Sequence, residues 1–138
     1  MAARAAALNG VAARCRFQRA EALAELERRA STAERFDIVV VDPPAFVKSR
    51  KDLAVGLRGY RKLARLASRL VAPGGFLFMA SCSHNVDRPA FAEALRRGLA
   101  DAKREGRILN ETGAARDHPV HPHLPESAYL KAQLLQLD

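Results

Sequence analysis

Apolar and polar residues form two kinds of pattern along the chain. Two short runs, 38–41 and 76–80, are continuously apolar, which is typical of parallel strands covered on both faces. Over 56–71 and 91–102, apolar residues instead recur at the spacing of a helix with one buried side. Strands and helices therefore alternate, and the pattern predicts an α/β protein with a mostly parallel sheet.

Weaker patterns occupy the two ends of the chain. They predict the last turns of a helix over 2–8, a short strand over 14–19, a helix over 20–30, and strands over 107–111 and 129–137. The loop before the last strand is polar and rich in proline and histidine. The chain shows no internal repeat and no linker, so we expect one domain or part of one.

The composition is that of an ordinary globular domain, with 49% apolar and 28% charged residues among 138. No apolar stretch approaches the roughly 18 to 20 residues that a membrane-spanning helix needs, so we expect a cytoplasmic protein without a membrane partner. Cys15 and Cys82 lie far apart and show neither a CxxC pair nor the Cys/His spacing of a zinc site. We therefore expect two reduced thiols, no disulfide and no bound metal.

A formal net charge of +8 favours a polyanionic partner, because surface Lys and Arg attract phosphate chains and release their counterions. Part of this charge forms a basic stripe on the polar side of the helix predicted over 56–71: Arg58, Arg61, Lys62, Arg65 and Arg69. The basic stripe is either a solvated face or a surface that contacts RNA. Charge alone does not decide between these readings.

Two reactive residues follow the two apolar runs. Asp42 comes directly after the first run, and Cys82 comes shortly after the second. Ligands of open parallel sheets bind outside the carboxyl ends of the strands, and neighbouring strands lie about 4.8 Å apart. A carboxylate and a thiol at adjacent strand ends can therefore address one small planar ligand. The alternative is structural, with Asp42 starting a turn and Cys82 serving as a small buried apolar residue.

Three segments resemble, in order, the C-terminal part of class I S-adenosylmethionine-dependent RNA methyltransferases: FDIVVVDPPAF, GYRKLARLASRLVAPGGFLFMASCSH and DHPVHPHLPESAYLK. The similarity is greatest to the bacterial ribosomal RNA cytosine carbon-5 methyltransferases that carry an N-terminal PUA domain, and it runs through nearly the whole chain. The DPP motif alone is weak evidence for this family, because many amino-methyltransferases carry it directly before an aromatic residue. In this chain Ala45 stands between the motif and Phe46. The ordered combination of motifs is much more specific.

The resemblance implies roles for the residues that match these motifs. Cys82, in the SCS motif, would be the nucleophile that attacks carbon 6 of cytosine and so makes carbon 5 electron-rich. Asp42, in the DPP motif, would bind ring nitrogen 3 and the exocyclic amine. Pro43 and Pro44 would form the wall against which a flipped base lies, with Phe46 as a stacking surface.

A cysteine in this role needs help from its surroundings. A free thiol has a pKa of about 8.5, so Cys82 requires a cationic neighbour or a base to act near neutral pH. His84 and Lys48 are both candidates, and the sequence does not choose between them. His118, in the DHP motif, is either a further group of the site or a structural loop residue.

The resemblance also implies S-adenosylmethionine as the cofactor, with Glu21 near its adenine and Asp42 at the same pocket. The alternative for Glu21 is an ordinary acid at a helix N-terminus. The family's Rossmann-like class I methyltransferase sheet opens with a strand, a glycine-rich turn and a second strand, whereas none of the eight glycines here forms a G-x-G turn after a strand. We therefore expect a sheet truncated at the N-terminus and impaired cofactor binding by this chain alone.

The truncation predicts a single partial methyltransferase domain over 1–138, in which 36–138 form the catalytic half and the packing of 1–35 is left open. In the family's sheet order, the missing strands lie between those predicted at 14–19 and 37–41, which leaves a gap of about 14 Å. Three outcomes are open. The early segment pairs directly with 37–41, self-association or a partner chain fills the gap, or the first 35 residues are loose.

The resemblance thus implies a ribosomal RNA cytosine carbon-5 methyltransferase domain that acts through a covalent cysteine adduct, and we expect this chain alone to be inactive. Two alternatives stay open. One is a methyltransferase that acts on an exocyclic amine through the DPP motif, for which Cys82 is dispensable. The other is a noncatalytic remnant that binds RNA or a partner protein through the basic stripe.

Overall fold

Helices and strands alternate along the chain in the computed structural model, which describes all residues from 1 to 138. The elements, in chain order, are α1 (Ala2–Leu8), α2 (Ala22–Ser31), β1 (Phe36–Val41), α3 (Leu53–Ser68), β2 (Val71–Ser81), α4 (Arg88–Asp101), β3 (Gly106–Thr112) and β4 (Lys131–Leu137). No helix has both the length and the apolar character needed to cross a lipid bilayer.

The four strands form one sheet in the order β1-β2-β4-β3. β1 and β2 are parallel neighbours, with Val41 opposite Met79 near their carboxyl ends. β4 runs antiparallel to both β2 and β3, so three strands point in one direction and β4 points in the other. The prediction of a mostly parallel sheet is thus correct for the direction of three strands, but only β1 and β2 form a parallel pair. The reason is that β4 inserts between β2 and β3 after a connection that contains no α-helix.

The hydrophobic core lies between one face of the sheet and the helices α3 and α4. Its largest fully buried side chains include Tyr60, Leu77, Met79, Phe91 and Leu95. Gly98 lets the two helices touch, since a Cβ at this position would lie 2.6 Å from the Cβ of Ala64. The apolar spacing predicted over 56–71 and 91–102 therefore marks the core-facing sides of α3 and α4.

The opposite face of β1 is uncovered in this chain. Ile38 and Val40 point away from the core and are 62% and 66% exposed, whereas Val39 and Val41 pack against it. The prediction that the run 38–41 is covered on both faces is therefore wrong for this chain. The reason is that α2, α3 and α4 all contribute side chains to the same core.

Residues 14–19 do not form the predicted strand. Ala12–Arg14 is a short 3-10 turn, and no residue from there to the start of α2 pairs with the sheet. A strand needs a ladder partner and a buried face, and this arginine-rich segment has neither, with Phe17 left 55% exposed. Direct pairing of the early segment with β1 is therefore wrong, and Leu23 and Leu26 of α2 contact the core instead.

Side-chain caps explain where two helices begin. α4 starts after Asp87, whose carboxylate accepts a hydrogen bond from the Ala90 amide at 2.8 Å. α3 starts at Leu53, earlier than predicted, because a capping box between Ser49 and Asp52 begins a 3-10 turn that leads directly into it. These caps orient the two helices that support the loops at the carboxyl edge of the sheet.

Candidate active site

The loops that follow β1 and β2 leave the sheet at the same edge, because the two strands are parallel neighbours as expected. The Cys82 thiol donates a hydrogen bond to the carbonyl oxygen of Pro43, with a sulfur–oxygen distance of 3.8 Å. Cys82 and Pro43 are both half-buried, and Asp42 beside them is exposed. The thiol is therefore neither sealed in the core nor distant from the DPP segment.

A buried hydrogen-bond network holds the residues on both sides of Cys82. Ser81 donates from its hydroxyl to the Tyr60 hydroxyl at 2.8 Å, and the Tyr60 hydroxyl lies 2.8 Å from that of Ser83. The Ser83 hydroxyl also accepts from the Val47 amide at 3.2 Å. Ser81, Ser83 and Tyr60 are fully buried, so each of these bonds satisfies a polar group that water does not reach. The network thus ties the cysteine loop to both α3 and the loop after β1.

Two glycines of α3 let the loop after β1 lie directly on the helix. A Cβ at Gly56 would lie 2.2 Å from a methyl carbon of Val47, and a Cβ at Gly59 would lie 2.9 Å from the Phe46 ring. The Phe46 ring also packs on Tyr60, with their centroids 4.8 Å apart. Phe46, predicted as a stacking surface for a base, is therefore held in place by α3 on one side.

A groove of about 680 Å³ runs beside the carboxyl end of β1, between that strand and the segment that leads into α2. The predicted site residues that line it together are Glu21, Asp42, Pro43, Pro44 and Phe46. Apolar side chains of α2 and β1, among them Leu23 and Val39, form much of its wall. Cys82 does not line this groove but adjoins it through its contact with Pro43.

Glu21 lines the groove and also caps α2. Its two carboxylate oxygens accept hydrogen bonds from the amides of Leu23 at 3.2 Å and Ala24 at 2.7 Å. This is the ordinary behaviour of an acid at a helix N-terminus, which was the alternative reading of this residue. Its proximity to a cofactor adenine stays a prediction.

Lys131 is a buried cation held against the loop that contains Cys82, and sequence reasoning missed it. It is the first residue of β4, its Cα pairs with that of Ser81, and it is only 5% exposed. Its ammonium donates a hydrogen bond to the carbonyl oxygen of Ser83 at 2.6 Å. Burial lowers the pKa of Lys131, and negative charge on Cys82 acts in the opposite direction. The one available signal was a lysine at the start of an apolar strand, in the YLK motif.

The residues that the sequence named as possible partners of Cys82 make no hydrogen bond to it. His84 and Lys48 are both exposed, and neither makes a hydrogen bond to Cys82. His118 is exposed too, and its Nε2 lies 3.0 Å from the Tyr129 hydroxyl, with the two rings packed edge to face. His118 therefore has a structural partner in its own loop.

The basic stripe on α3 is partly neutralised. Arg61 forms an ion pair with Asp101 at 2.6 Å, and Lys62 forms one with Glu27 at 2.9 Å. Hydrogen bonding to Arg61 holds the pKa of Asp101 below its usual value. Two of the five charges of the stripe thus have partners on α4 and α2.

Cys15 and Cys82 are both free thiols and both are half-buried. No group of three or more histidine, cysteine or acidic side chains lies close enough together to hold a metal ion. The reactive groups at this edge of the sheet are one thiol, one carboxylate and one buried ammonium, with the groove beside them.

No family model matches the chain. Two relatives named ribosomal RNA large subunit methyltransferase I are similar to it in sequence. The relative from Erwinia tasmaniensis is 37% identical over 125 residues, which cover 90% of this chain and 32% of the relative. The relative from Aeromonas salmonicida is 35% identical over 137 residues, which cover 99% of this chain and 35% of the relative. The chain thus spans about a third of the length of the curated relatives that it matches.

Solved structures share the fold. SMU.776, described as a methyltransferase complexed with SAH, superposes with a TM-score of 0.68 at 18% identity, over 85% of this chain and 30% of that one. A SAM-dependent methyltransferase from Streptococcus mutans gives a TM-score of 0.67 at 20% identity, over 85% of this chain and 29% of that one. The α/β fold with a Rossmann-like class I methyltransferase sheet, which the resemblance implied, is therefore confirmed.

Proposed function

We propose that this chain is the catalytic part of an S-adenosylmethionine-dependent methyltransferase that methylates carbon 5 of a cytosine in ribosomal RNA. The observation that carries the proposal is the contact between the Cys82 thiol and the Pro43 carbonyl oxygen, which puts a half-buried nucleophile beside the groove. The name of the two relatives supports a methyltransferase of large-subunit ribosomal RNA, and it does not state which base is modified. The net charge of +8 supports an RNA partner.

Cysteine chemistry is what carbon 5 of cytosine requires. This carbon is a weak nucleophile while the ring is aromatic. Attack of the Cys82 sulfur on carbon 6 forms a carbon–sulfur bond and moves the electron pair of the 5,6 double bond toward carbon 5. After methylation, carbon 5 loses its proton to a base, and the thiolate leaves with the electron pair of the carbon–sulfur bond. The ring is then restored and Cys82 is regenerated.

Asp42 is suited to orient and activate the base. It lies exposed at the end of β1, and its side chain makes no hydrogen bond within the chain, so both oxygens are free for a ligand. Hydrogen bonds to ring nitrogen 3 and to the exocyclic amine favour the protonated, electron-poor base that Cys82 attacks. Pro43 and Pro44 would form the adjoining wall, and Phe46, supported by α3, would present its ring to the base.

The groove fits one end of the cofactor. When bound, S-adenosylmethionine supplies an electrophilic methyl group. Apolar walls from Leu23 and Val39, with Glu21 at the rim, suit an adenine ring. The methionine end is different, because the eight glycines of the chain supply no G-x-G turn whose backbone could approach it. The residues present thus account for only part of a cofactor site.

A trapping experiment tests the cysteine chemistry. The complete gene product is incubated with S-adenosylmethionine and a ribosomal RNA fragment that contains 5-fluorocytosine. Fluorine at carbon 5 cannot leave as a proton does, so the adduct cannot decompose. We expect a protein–RNA adduct that survives denaturing electrophoresis for the wild type and for the matched control Cys15→Ala, and no adduct for Cys82→Ala.

The same experiment separates the alternatives. An adduct that persists in Cys82→Ala contradicts the assignment of the nucleophile. Methylation of unmodified RNA by Cys82→Ala at the wild-type rate would instead support an enzyme that acts on an exocyclic amine. RNA binding with neither adduct nor methylation in the wild type would support a noncatalytic protein.

A further inference from the structure

We infer that a basic rim, defined as residues 47–52, holds the RNA at the candidate site, with Lys48, Arg50 and Lys51 contacting phosphates next to the target base. The identity of this polyanion as ribosomal RNA rests on the proposed function. Lys48 is a sequence candidate for a cationic neighbour of Cys82, but it makes no hydrogen bond to the thiol. It is exposed, as are Arg50 and Lys51, so all three side chains are accessible to a phosphate chain.

The backbone of the basic rim is fixed against the cysteine loop. Val47 is 2% exposed, and its amide donates a hydrogen bond to the Ser83 hydroxyl at 3.2 Å. The side-chain amide of Asn85 donates to the carbonyl oxygen of Lys48 at 3.3 Å. The basic rim therefore adjoins the loop that carries Cys82, and its residues from 48 to 52 are exposed there.

The basic rim is also close to the groove. Phe46 lines the groove and precedes Lys48 by two residues, so their Cα atoms are no more than about 7 Å apart. A base that is flipped into a pocket leaves its sugar and phosphates outside. Phosphate contacts position a nucleic acid, whereas contacts to the base select it. The basic rim is thus placed for the first task, and Asp42 is proposed for the second.

The three cations of the basic rim have no acidic partner in the chain. None of them forms an ion pair. Asp52, the one acid of the basic rim, accepts hydrogen bonds from the amide of Ser49 at 3.1 Å and from its hydroxyl at 2.8 Å. The carboxylate thus holds the turn and leaves three cations free, which is a surface that attracts phosphate.

Order in the basic rim favours binding. The capping box between Ser49 and Asp52 begins the 3-10 turn Arg50–Asp52, which leads directly into α3. A segment whose backbone is already ordered loses less conformational freedom when it binds a partner. The cations of the basic rim therefore need to order only their side chains on the RNA.

The basic stripe on α3 is the competing surface for RNA. Two of its five cations, Arg61 and Lys62, already form ion pairs with acids of α4 and α2. The basic rim has no such pairs, and it alone is hydrogen-bonded to the loop that carries Cys82. The observations therefore favour the basic rim over the basic stripe.

Lysine footprinting locates the RNA on the unaltered chain. The chain has five lysines: Lys48 and Lys51 in the basic rim, Lys62 in the basic stripe, Lys103 after α4, and the buried Lys131. Acetylation by an N-hydroxysuccinimide ester is followed by mass spectrometry with and without a single-stranded ribosomal RNA fragment. Fragment at about ten times its Kd leaves about a tenth of the chain free, so the two rim lysines should react up to about tenfold more slowly.

The other lysines are internal controls in this experiment. Lys103 should react at an unchanged rate, because it lies outside both basic surfaces. Protection of Lys62 without protection of Lys48 and Lys51 overturns the inference in favour of the basic stripe. Absence of RNA binding, or equal protection of all exposed lysines, overturns it as well.

Salt dependence counts the phosphate contacts. Fluorescence anisotropy gives the slope of log affinity against log salt concentration for the same fragment. Replacing all three cations, as Lys48→Gln with Arg50→Gln and Lys51→Gln, should reduce this slope by about 2, since each contact with a single strand contributes about 0.7. An unchanged slope in a variant that circular dichroism shows to be folded overturns the inference.

A matched control removes the same charge elsewhere. Arg96→Gln with Arg97→Gln and Lys103→Gln removes three cations from the second half of α4 and the residues after it. This control should change the slope by less than about 0.5. Equal reductions by the two triple variants would show an effect of net charge alone and would overturn the inference.

The outcome is separate from that of the trapping experiment. Protection of the two rim lysines by RNA, with no 5-fluorocytosine adduct, would reject the proposed cysteine chemistry and leave the basic rim as an RNA-binding surface. An adduct formed while Lys48 and Lys51 stay unprotected would reject the role of the basic rim alone.

Discussion

The Tyr60 hydroxyl lies 2.8 Å from the side-chain oxygen of Ser83 and accepts a second hydrogen bond from the hydroxyl of Ser81. One buried phenol of α3 thus joins the residues on both sides of Cys82. The same helix supports the loop after β1, through Gly56 and Gly59. α3 therefore supports both loops of the candidate site, and the role proposed for Cys82 requires such rigid support.

We predict that Tyr60→Phe destabilises the chain and weakens adduct formation. Removing the shared hydroxyl leaves the buried hydroxyls of Ser81 and Ser83 short of a partner, which should lower the free energy of unfolding by about 1–3 kcal/mol. Urea denaturation measures this change. The matched control is Tyr129→Phe, whose hydroxyl is bonded to the exposed His118, and it should change stability by less than about 0.5 kcal/mol. Equal effects of the two substitutions would contradict the importance of the network.

The ion pairs of α2 predict a dependence of stability on acid. Hydrogen bonding to Arg28, with a further bond to Arg29 and against the opposing effect of burial, lowers the pKa of Glu25 to about 2 from its model-compound value of 4.5. A carboxylate whose pKa is lower in the folded state stabilises that state above the unfolded value, and the contribution is lost as the pH falls through the folded value. The stability difference between wild type and Glu25→Gln should therefore be full above about pH 4.5 and vanish toward pH 2.

Urea midpoints measured across this pH range check the prediction, and high salt should reduce the difference because the Arg28 side chain that pairs with Glu25 is exposed. Glu126→Gln is the control, since Glu126 is exposed and forms no ion pair. If Glu25→Gln changed the stability by the same amount at every pH, the ion pairs of Glu25 would not be the source of the pH dependence.

Neutralising the basic stripe tests the noncatalytic alternative. Arg58 and Arg65 carry the stripe's charges next to the paired Arg61 and Lys62. If RNA binds at the carboxyl edge of the sheet, Arg58→Gln with Arg65→Gln should leave the slope of binding affinity against salt concentration nearly unchanged. If the stripe holds phosphates, each lost contact should reduce the slope by about 0.7 to 0.9. Fluorescence anisotropy with a ribosomal RNA fragment measures this slope.

Isothermal calorimetry tests the incomplete cofactor site. We expect the 138-residue chain to bind S-adenosylmethionine more weakly than about micromolar, because no glycine-rich turn is present to hold the methionine end. The longer relative from Erwinia tasmaniensis is the positive control, and it should bind substantially more tightly. Micromolar affinity of the 138-residue chain would show that the groove beside β1 is sufficient.

The helices of this chain follow from local sequence patterns, whereas its strands depend on partners elsewhere in the chain. The apolar spacing that defines α3 and α4 is a local property, and both helices cover most of the predicted ranges. The predicted end of the first helix is wrong, because α3 ends at Ser68 and Val71 already begins β2, five residues before the predicted strand. The segment 14–19 has a strand-like alternation but forms no strand, because a strand exists only with a partner across a ladder. Likewise the run 38–41 is apolar throughout, yet Ile38 and Val40 are exposed, since coverage depends on elements elsewhere.

The sequence by itself determined the helical faces, the two parallel strands and the two reactive residues at their ends, Asp42 and Cys82. These follow from the order of apolar and polar residues within short segments, which local backbone geometry converts directly into faces and strand ends. The tertiary structure alone decided that β4 lies antiparallel beside β2 and brings Lys131 against the cysteine loop. Such a neighbour is set by pairing between segments that are distant along the chain, and no local pattern encodes which strand a strand will join.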